Sequence, residues 1–410
     1  MNFAASGVYL GQMETSRMHK SPFTDRQTVA FGDVVRNVDE TIRDLQNSGL
    51  ERYVGLEHIE PESLHIQRWG LISEGTSFTR RFRKGQVLFG KRRAYQRKVA
   101  VAEFDGLCSS DILVFEPKDD RLLPELLPFI CQSDGFFEHA LDTSAGSLSP
   151  RTKFKELARY EFPLPPPDEQ RRIAEILRAA DVLKQKTEKV NNELKIYRQA
   201  RVDDFFSDSN INLKKIKLEK LIVNGSKNGL YKSKEFYGEG VKTVHMGDLF
   251  AYEVITSEID MQRIHLNNDE IERFSVYDGD LLFARRSLVK DGAGKCSIVL
   301  NTNEPMSFES SIIRIRPEKS QILPLYLFYW FKSTFGIRSI QSIVRGGTGA
   351  VVGISSGDLR KIDVPVATIG IQSSLVSIID EINHLLESNV QQIKKVINLE
   401  IHLRKHLLGS

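Results

Sequence analysis

Short apolar segments bounded by Gly, Asp and Pro recur along the chain and predict β-strands. Five of them, rich in β-branched and aromatic residues, read QVLFG, DILVFEP, DLLFA, SIIRIRP and KIDVPV. Two further apolar segments, LPELLPFICQS and LPLYLFYWFKS, fit short buried helices. Strands grouped ahead of helices predict an α+β fold.

The same order of segments occurs twice, which indicates an internal duplication. KGQVLFGKRR, DILVFEP and SAGSLSPRTKFKELARYEFPLP of the first copy correspond to DGDLLFARRS, SIIRIRP and RGGTGAVVGISSGDLRKIDVPV of the second. Matching landmarks lie 194 to 202 residues apart, so the copies differ by short loop insertions. These landmarks are Gly85 with Gly279, Pro117 with Pro317, Leu157 with Leu359, and Pro163 with Pro365.

Each copy is followed by a long polar stretch with a heptad pattern. Four heptads predict a coiled-coil seam rather than a generic amphipathic helix. The first predicted seam consists of Ile173, Ile176, Ala180, Leu183, Thr187, Val190, Leu194, Tyr197 and Arg201. The second consists of Leu375, Ile378, Ile382, Leu385, Asn389, Gln392, Val396, Leu399 and Leu403.

The two seams predict that the long helices pack together as an antiparallel pair. Such a pair would place the two copies at opposite ends of a rod, related by a pseudo-two-fold axis. The seam midpoints, Thr187 and Asn389, are both polar, and one polar layer in an apolar seam can fix the register. We therefore expect these two residues to meet at the helix crossing. The plainer alternative is an ordinary two-helix brace between domains.

A chain of 410 residues suits two domains with connecting elements. The pattern divides the chain into five segments. They are an N-terminal tail at 1–25, a first domain at 26–166, a central helix at 167–208, a second domain at 209–367 and a distal helix at 368–408.

Composition narrows the class of protein without deciding its function. The content of 40% hydrophobic and 27% charged residues is that of a globular protein, and the net charge is only +3. Three scattered cysteines suggest neither a disulfide framework nor a zinc site. The first residues lack the apolar core of a signal peptide, so we expect a cytoplasmic protein.

Basic residues are concentrated in one stretch of the first copy. Nine of the nineteen residues from Arg80 to Lys98 are Lys or Arg, and no acidic residue interrupts them. Cations on one face bind phosphates, an arginine fork can bind guanine, and the alternative is a solvated charge run. We predict DNA contacts from Lys91, Arg92, Arg93, Tyr95, Arg97 and Lys98.

Four other segments are weaker candidates for DNA contact. Their cations and backbone amides could bind phosphate, or the segments could simply be tight turns or solvated surface. The candidates are Arg285, Arg286 and Lys290 in the second copy's equivalent loop, Tyr231 and Lys232 in KNGLYKSKEFYGEG, Ser147, Arg151 and Lys153 in SAGSLSPRTK, and Arg345 in RGGTGAVVG.

Catalytic motifs are missing from the sequence. DGAGKCS imitates a phosphate-binding loop, but Val289 and Cys296 break the required pattern. The nine histidines form no cluster with metal-ligand spacing, and no methyltransferase tetrapeptide N/D-P-P-Y/F occurs.

The segment FPLPPPDEQRRIAEIL, followed by a heptad helix and a second copy of both, resembles the specificity (DNA-recognition) subunits of Type I restriction–modification enzymes. SAGSLSPRTKFKEL and LFGKRRAYQRKV resemble segments of their target-recognition domains. The resemblance covers the chain from about Ala30 to Leu408. The second copy departs from the pattern, since it keeps Gln372 but has Gly370 in place of Asp168.

The resemblance implies that each globular domain is a target-recognition domain that reads one half of a bipartite DNA site. It implies that the helices set the gap between the half-sites, and that this chain has no catalysis and no cofactor. The implied partners are double-stranded DNA, two adenine methyltransferase subunits with S-adenosylmethionine, and restriction and translocase subunits with ATP and Mg²⁺. The implied location is the prokaryotic cytoplasm, with no membrane.

Two other functions remain open at this stage. One is a two-headed structural adaptor that binds proteins across a helical rod. The basic loops favour DNA recognition over this adaptor. The other is a nuclease with an unrecognised site. Steep weakening of DNA binding by salt would distinguish DNA recognition from the adaptor.

Overall fold

The computed structural model describes residues 27–45, 47–346 and 351–408, with the side chains of 406–408 excluded. The predicted tail at 1–25 lies outside these residues. The described chain packs as two compact units. Unit 1 contains 27–186 and 393–408, and unit 2 contains 187–392.

Unit 1 combines two four-stranded sheets, a two-stranded ribbon and short helices. The strands are β1 (Gln27–Ala30), β2 (Val35–Val38), β3 (Arg52–Val54), β4 (Gly70–Leu71), β5 (Arg80–Phe82), β6 (Val87–Gly90), β7 (Val99–Val101), β8 (Gly106–Cys108), β9 (Ile112–Pro117) and β10 (Glu161–Leu164). The helices are α1 (Phe31–Val34), α2 (Leu127–Cys131), α3 (Asp134–Asp142), α4 (Phe154–Leu157) and the first part of α5 (Pro167–Ser207). The strand orders are β2-β9-β6-β7, β4-β3-β8-β5 and β1-β10.

Unit 2 combines a five-stranded sheet, a three-stranded sheet and two ribbons. The strands are β11 (Lys214–Lys217), β12 (Lys227–Asn228), β13 (Tyr237–Val244), β14 (Val254–Ile255), β15 (Arg263–Ile264), β16 (Leu281–Ala284), β17 (Arg286–Ser287), β18 (Cys296–Val299), β19 (Met306–Phe308), β20 (Ile312–Ile315), β21 (Val352–Gly353) and β22 (Asp363–Val366). The helices are α6 (Met246–Ala251), α7 (Asn268–Phe274), α8 (Pro324–Lys332), α9 (Thr334–Ile343), α10 (Ser356–Arg360) and α11 (Ile369–Leu408). The strand orders are β12-β20-β16-β18-β14, β15-β13-β19, β11-β22 and β17-β21.

The two units repeat the same central strand pairing. β6 pairs with β9 so that Leu88 lies opposite Val114, and β16 pairs with β20 so that Leu282 lies opposite Arg314. Each pair is the other shifted by the offsets seen in the sequence, and β1-β10 matches β11-β22 in the same way. The predicted α+β class with long helices is therefore confirmed.

A buried glutamine fixes the start of each long helix to its unit. Leu123 donates its backbone N–H to Oε1 of Gln170 at 2.8 Å, and Nε2 of Gln170 donates to the carbonyls of Arg121 and Pro165 at 2.7 and 2.8 Å. Gln372 makes the same three bonds with the corresponding residues of unit 2. Both amides are fully buried, so the Gln of the FPLPPPDEQ motif is a structural anchor.

Each unit holds the early part of one long helix and the late part of the other. In unit 1, Leu177 of α5 and Leu403 of α11 pack in the same core. In unit 2, Val202 of α5 packs with Leu375 and Ile379 of α11. Within each unit, an early segment of one long helix therefore packs with a late segment of the other.

Each heptad of the predicted seams has two positions. One of them is buried as predicted, whereas at the other the buried residue is the next one along the chain. Leu177 and Ile379 are fully buried, whereas the predicted Ile176 and Ile378 are 45% and 37% exposed. The sequence misled because several buried or partly buried positions are polar: Lys184, Asn191 and Arg198 take the places expected for Leu183, Val190 and Tyr197.

Thr187 is buried and Asn389 is partly buried, both within unit 2. Their meeting at the helix crossing stays a prediction. The five-segment division of the chain also stays a prediction, because each long helix is shared between the two units.

Candidate nucleic-acid interface

Two loops of unit 1 meet at the end of strand β6. The amide of Lys91 donates to the carbonyl of Asp111 at 3.0 Å, and the amide of Thr152 donates to the carbonyl of Lys91 at 3.0 Å. The amide of Arg93 donates to the carbonyl of Pro150 at 2.8 Å. These bonds hold the loop at 91–98 against the loop at 144–153. They bring together the two loops that carry the predicted Lys91, Arg92, Arg93, Ser147, Arg151 and Lys153.

Asp111 lies between two arginines of these loops. Nε of Arg151 donates to Oδ1 of Asp111 at 2.8 Å, and Nη1 of Arg92 donates to Oδ2 at 3.4 Å. Nη2 of Arg92 also donates to Oγ of Ser149 at 3.0 Å, and Nη2 of Arg93 lies 3.5 Å from the same oxygen. The Asp111 side chain is 18% exposed, against 36% for Arg92 and 46% for Arg151. A sheltered carboxylate therefore holds two surface guanidinium groups.

Opposing effects act on the ionisation of Asp111. Burial raises the pKa of its carboxyl group, but the hydrogen bonds and charges of Arg151 and Arg92 outweigh burial and lower the pKa. The carboxylate is therefore charged at neutral pH. Nearby, burial and the positive charge of Arg80 lower the pKa of Lys91. The positive charge of Lys91 is thus partly buried and lies near other cations.

The loop after β6 is tightly folded. Arg93 and Arg97 have φ values of 55° and 52°, which place both in the left-handed region that L residues rarely adopt. They flank a single turn at Ala94–Gln96. Tyr95 stands in this turn with 57% of its surface exposed. The loop therefore presents an aromatic ring between its basic residues.

The last two cations of this loop are engaged within unit 1. Nη2 of Arg97 donates to Oδ1 of Asp134 at 2.7 Å, and its guanidinium carbon lies 4.6 Å from the ring centre of Phe137. Nζ of Lys98 donates to the carbonyl of Leu56 at 2.6 Å. The structure does not place these two charges with Arg92 and Arg151. Their role in DNA contact stays a prediction.

The basic stretch contains no acidic residue, but the fold supplies acidic partners for its first arginines. Arg80 pairs with Asp39 at 2.9 Å, and Arg81 and Arg83 pair with Glu40 at 3.3 and 2.7 Å. The partners come from a segment about forty residues earlier, which the sheet brings alongside β5. These three arginines stabilise unit 1 rather than forming an unpaired patch.

Unit 2 builds the equivalent junction with the same backbone bonds. The amide of Arg285 donates to the carbonyl of Ser311 at 2.8 Å, and the amide of Ile354 donates to the carbonyl of Arg285 at 3.0 Å. Lys91 makes the corresponding two bonds in unit 1. Arg285 is therefore the structural equivalent of Lys91, and Arg286 is the equivalent of Arg92.

A second arginine reaches each junction from a different strand. In unit 1, Ala145 and Arg151 form a bridge through two backbone bonds of 3.0 Å. In unit 2, the same bridge joins Arg345 and Gly353 at 2.8 and 2.9 Å. The arginine is thus on opposite sides of matching bridges. Both units therefore have a pair of arginines at the junction, and only the second arginine of the pair comes from a different side of the bridge.

An open groove of about 540 Å³ lies at the unit 2 junction. Arg285, Arg286 and Arg345 line it, together with Asn228 and Ser355. Nη1 of Arg285 donates to the carbonyl of Ser310 at 3.3 Å. Within the described parts of the chain, no carboxylate lies within ion-pair distance of these three arginines. The groove is suited to an anionic ligand.

The other predicted residues of unit 2 differ in their surroundings. Tyr231 is 82% exposed. Lys232 pairs with Glu270 at 2.7 Å and lies 4.5 Å from the ring centre of Phe236, so its charge is used within the unit. Lys290 begins a short turn after the strand that contains Arg286.

The sequence reasoning missed Asp111 and Ser149. A difference between the copies could have revealed Asp111, because DILVFEP has Asp where SIIRIRP has Ser311. Ser149 had no such signal, since its importance depends on how the 144–153 loop folds back.

Over the described residues, no group of three or more His, Cys, Asp or Glu side chains could hold a metal ion. In the same part of the chain, no helix is both long and apolar enough to cross a membrane.

A family model and two known proteins match parts of this chain in sequence. The sequence model of the family described as the Type I restriction modification DNA specificity domain matches residues 61–195. The EcoDI specificity subunit of Escherichia coli is 29% identical over 155 residues, which are 35% of this chain and 33% of that subunit. The EcoKI specificity subunit of Escherichia coli (strain K12) is 24% identical over 315 residues, which are 70% of this chain and 66% of that subunit. The chain thus spans a third to about two thirds of these relatives.

The fold is also found in a solved structure. The S subunit of a Type I restriction–modification system from M. genitalium matches with a TM-score of 0.59 at 13% identity, over 96% of this chain and 98% of that one. Both units and both long helices fall within the matched length.

Proposed function

We propose that this chain is a Type I restriction–modification specificity subunit, which recognises a bipartite DNA site, one half with each unit, and catalyses no reaction itself; the matching family model over 61–195 and the two Escherichia coli relatives support this. The observation that carries this proposal is the repeated junction of two loops, with Arg92 and Arg151 in unit 1 and Arg286 and Arg345 in unit 2.

The chemistry of the junctions supports DNA as the ligand. Guanidinium groups bind phosphate and read guanine through two parallel hydrogen bonds. The loops differ in sequence while the backbone bonds beneath them are the same, so each unit would present its own set of side chains. Two different half-sites require that combination.

The long helices would set the gap between the half-sites. α5 has 41 residues and α11 has 40, so each helix is about 60 Å long at 1.5 Å per residue. A buried glutamine anchors the start of each helix to a unit, which makes the attachment stiff. A helix pair of fixed length with stiff attachments is suited to act as a ruler.

The helices also carry apolar side chains that their own seam leaves uncovered. On α5, Ile176, Val190 and Tyr197 are 45%, 45% and 53% exposed. On α11, Leu385 and Leu399 are 55% and 52% exposed. They are the residues of the second copy that correspond to Leu183 and Tyr197, at an offset of 202. Residues seven apart lie on one face of a helix, so each long helix has an apolar stripe.

Two matched stripes favour two copies of one partner. We take that partner to be the adenine methyltransferase subunit, docked through a helix, with restriction and translocase subunits joining the same assembly. S-adenosylmethionine, ATP and Mg²⁺ would then be bound by the partners in the prokaryotic cytoplasm.

Salt dependence tests the proposed function against the adaptor alternative. The purified chain should bind duplex DNA at low salt, and its affinity should fall by orders of magnitude as salt rises from about 50 to 200 mM. If the chain does not bind DNA even at low salt, the adaptor is favoured.

Mapping of methylated adenines tests the same proposal in cells. Co-expression with the methyltransferase subunit should mark a split motif with a fixed gap across the genome. A continuous motif, or methylation that does not depend on this chain, would contradict the proposal.

A further inference from the structure

The two arginine junctions differ at one acidic position. In unit 1 the carbonyl of Asp111 accepts from the amide of Lys91, and its carboxylate binds Arg92 and Arg151. In unit 2 the carbonyl of Ser311 accepts the equivalent bond, and its side chain carries no charge. The backbone is conserved between the units while the anion is present in only one.

A carboxylate in this place restricts two long side chains. A free arginine samples many rotamers, and ordering it on binding DNA costs side-chain entropy. Nε of Arg151 donates to Oδ1 of Asp111 at 2.8 Å and Nη2 donates to Oδ2 at 3.4 Å, so Asp111 leaves Nη1 of Arg151 unused. Ser149 adds a second restraint on Arg92. The two forks are therefore fixed before any ligand arrives.

The same carboxylate works against general attraction to DNA. It places a negative charge among Lys91, Arg92 and Arg151, where phosphates would otherwise be attracted. A group that lowers unspecific attraction and orients the base-reading forks favours discrimination over affinity.

Resting on the function proposed above, we propose that Asp111 is a positioning residue that determines the base preference of unit 1, by holding Arg92 and Arg151 in one orientation toward the bases. A fixed guanidinium fork matches the two acceptors of guanine in the major groove. The half-site read by unit 1 should therefore contain a guanine whose selection depends on Asp111. Unit 2, with Ser311, reads its half-site without this restraint.

Selection from a duplex pool with a randomised core tests the role of Asp111. Asp111→Asn keeps the size of the side chain and removes its charge. Relative to the original chain, the variant's discrimination between bases should fall roughly tenfold at one or two positions of the half-site read by unit 1. The other half-site should be selected as before. Binding to unspecific duplex should become tighter, because a negative charge has left the surface.

The matched control is Asp119→Asn. Asp119 loses the same charge and also pairs with an arginine, Arg121 at 2.8 Å, but it lies outside both loops. It should change neither half-site. If Asp111→Asn selects both half-sites with unchanged discrimination, the positioning role is overturned while the bipartite function stands.

The reverse substitution tests the proposal by gain rather than loss. Ser311→Asp should bring a carboxylate to Arg286 and sharpen the base preference of the half-site read by unit 2. An unchanged preference there would count against the role of this position. If the original chain selects no split motif at all, the proposed function fails first, which separates the two failures.

Discussion

At the residue scale, single side chains decide how each unit holds its neighbours. Gln170 and Gln372 use all their amide bonds to join a helix start to its unit, and Asp111 joins two loops. The sequence showed that Gln372 matches Gln170 in spacing. It could not show why, because the three bonding partners are backbone groups that any residue supplies.

Replacing Gln170 by Ala should lower the free energy of unfolding by about 3 kcal/mol. The substitution removes the side-chain partner of the amide of Leu123 and of the carbonyls of Arg121 and Pro165, which are buried or partly buried. Chemical denaturation followed by circular dichroism measures the change. Gln392→Ala is the control, since Gln392 is exposed on α11 and its loss should cost under about 0.5 kcal/mol. Equal effects of the two substitutions would refute the anchor.

His65 should make unit 1 more stable in mild acid. Its Nε2 lies 2.7 Å from Asp181 of α5 and its Nδ1 lies 2.8 Å from Glu103. The bond to Asp181 raises the pKa of His65, burial lowers it, and Glu103 raises it further, so the pKa is above the ordinary 6.5. The stabilisation is then fully present below pH 6.5 and is lost as pH rises through the raised pKa.

Thermal unfolding of His65→Gln across that pH range checks this prediction. The gap in Tm between the original chain and the variant should shrink as pH rises. His384→Gln is the control. His384 is exposed on α11, and its distance of 3.9 Å from Glu387 is too long for a hydrogen bond. A gap that stays constant with pH would show that the imidazole charge has no part.

Among the predicted DNA contacts, the sequence identified the arginines of both junctions but not their surroundings. It gave Arg92 and Arg151 as separate candidates in distant loops, and the fold places them on one carboxylate. It also grouped Arg97 with Arg92, although Arg97 turns inward to Asp134. The direction of a side chain in a tight loop depends on the backbone angles, which cannot be read from the local sequence.

At the element scale, the long helices show where a heptad pattern succeeds and fails. Their existence and length followed from the 3,4 spacing of apolar residues. The facing positions did not, because the buried stripe includes polar residues such as Asn191 while apolar residues beside it are exposed. A choice based on apolarity alone selects the wrong member of each adjacent pair.

Adjacent residues of α5 should therefore respond differently to truncation. Leu177→Ala removes a fully buried side chain and should cost about 3 kcal/mol of stability. Ile176→Ala removes an exposed side chain and should cost within about 0.5 kcal/mol. Denaturant unfolding measures both. Ile176→Glu should leave the fold intact and weaken association with the methyltransferase subunit, so undiminished association would exclude this stripe as the docking face.

Lengthening both long helices by one heptad should widen the gap of the recognised site. Seven residues add about 10 Å of helix, which is about three base pairs of DNA. Mapping of the methylated motif in cells measures the gap. A heptad keeps the seam in phase, whereas a control insertion of four residues rotates it and should abolish activity. Full activity with an unchanged gap would show that the helices are not the ruler.

At the scale of the whole molecule, the duplication was the most predictable feature. Landmarks such as Gly85 and Gly279 gave the alignment of the copies, and both occupy the left-handed region, with φ values of 89° and 94°. The differences between the copies could not be predicted as readily. The second arginine of the junction is Arg151 in unit 1 and Arg345 in unit 2, which lie on opposite sides of matching backbone bridges. The loops closed by these bridges differ in length, so the sequence alone did not show that the two arginines correspond.

The proposed division of labour between the two units rests on this comparison. Matching strands and anchors give both units one scaffold, and the loops at the end of β6 and β16 give each a different face. If each face reads its own half-site, damage to one face should spare the half read by the other.

Selection from a randomised duplex pool by three forms of the chain tests this central claim most directly. The original chain should select a split motif. The double variant Arg92→Ala with Arg151→Ala should lose one half of that motif and keep the other, and Arg286→Ala with Arg345→Ala should do the reverse. Loss of both halves in either folded variant, or retention of both halves in both variants, would contradict the account.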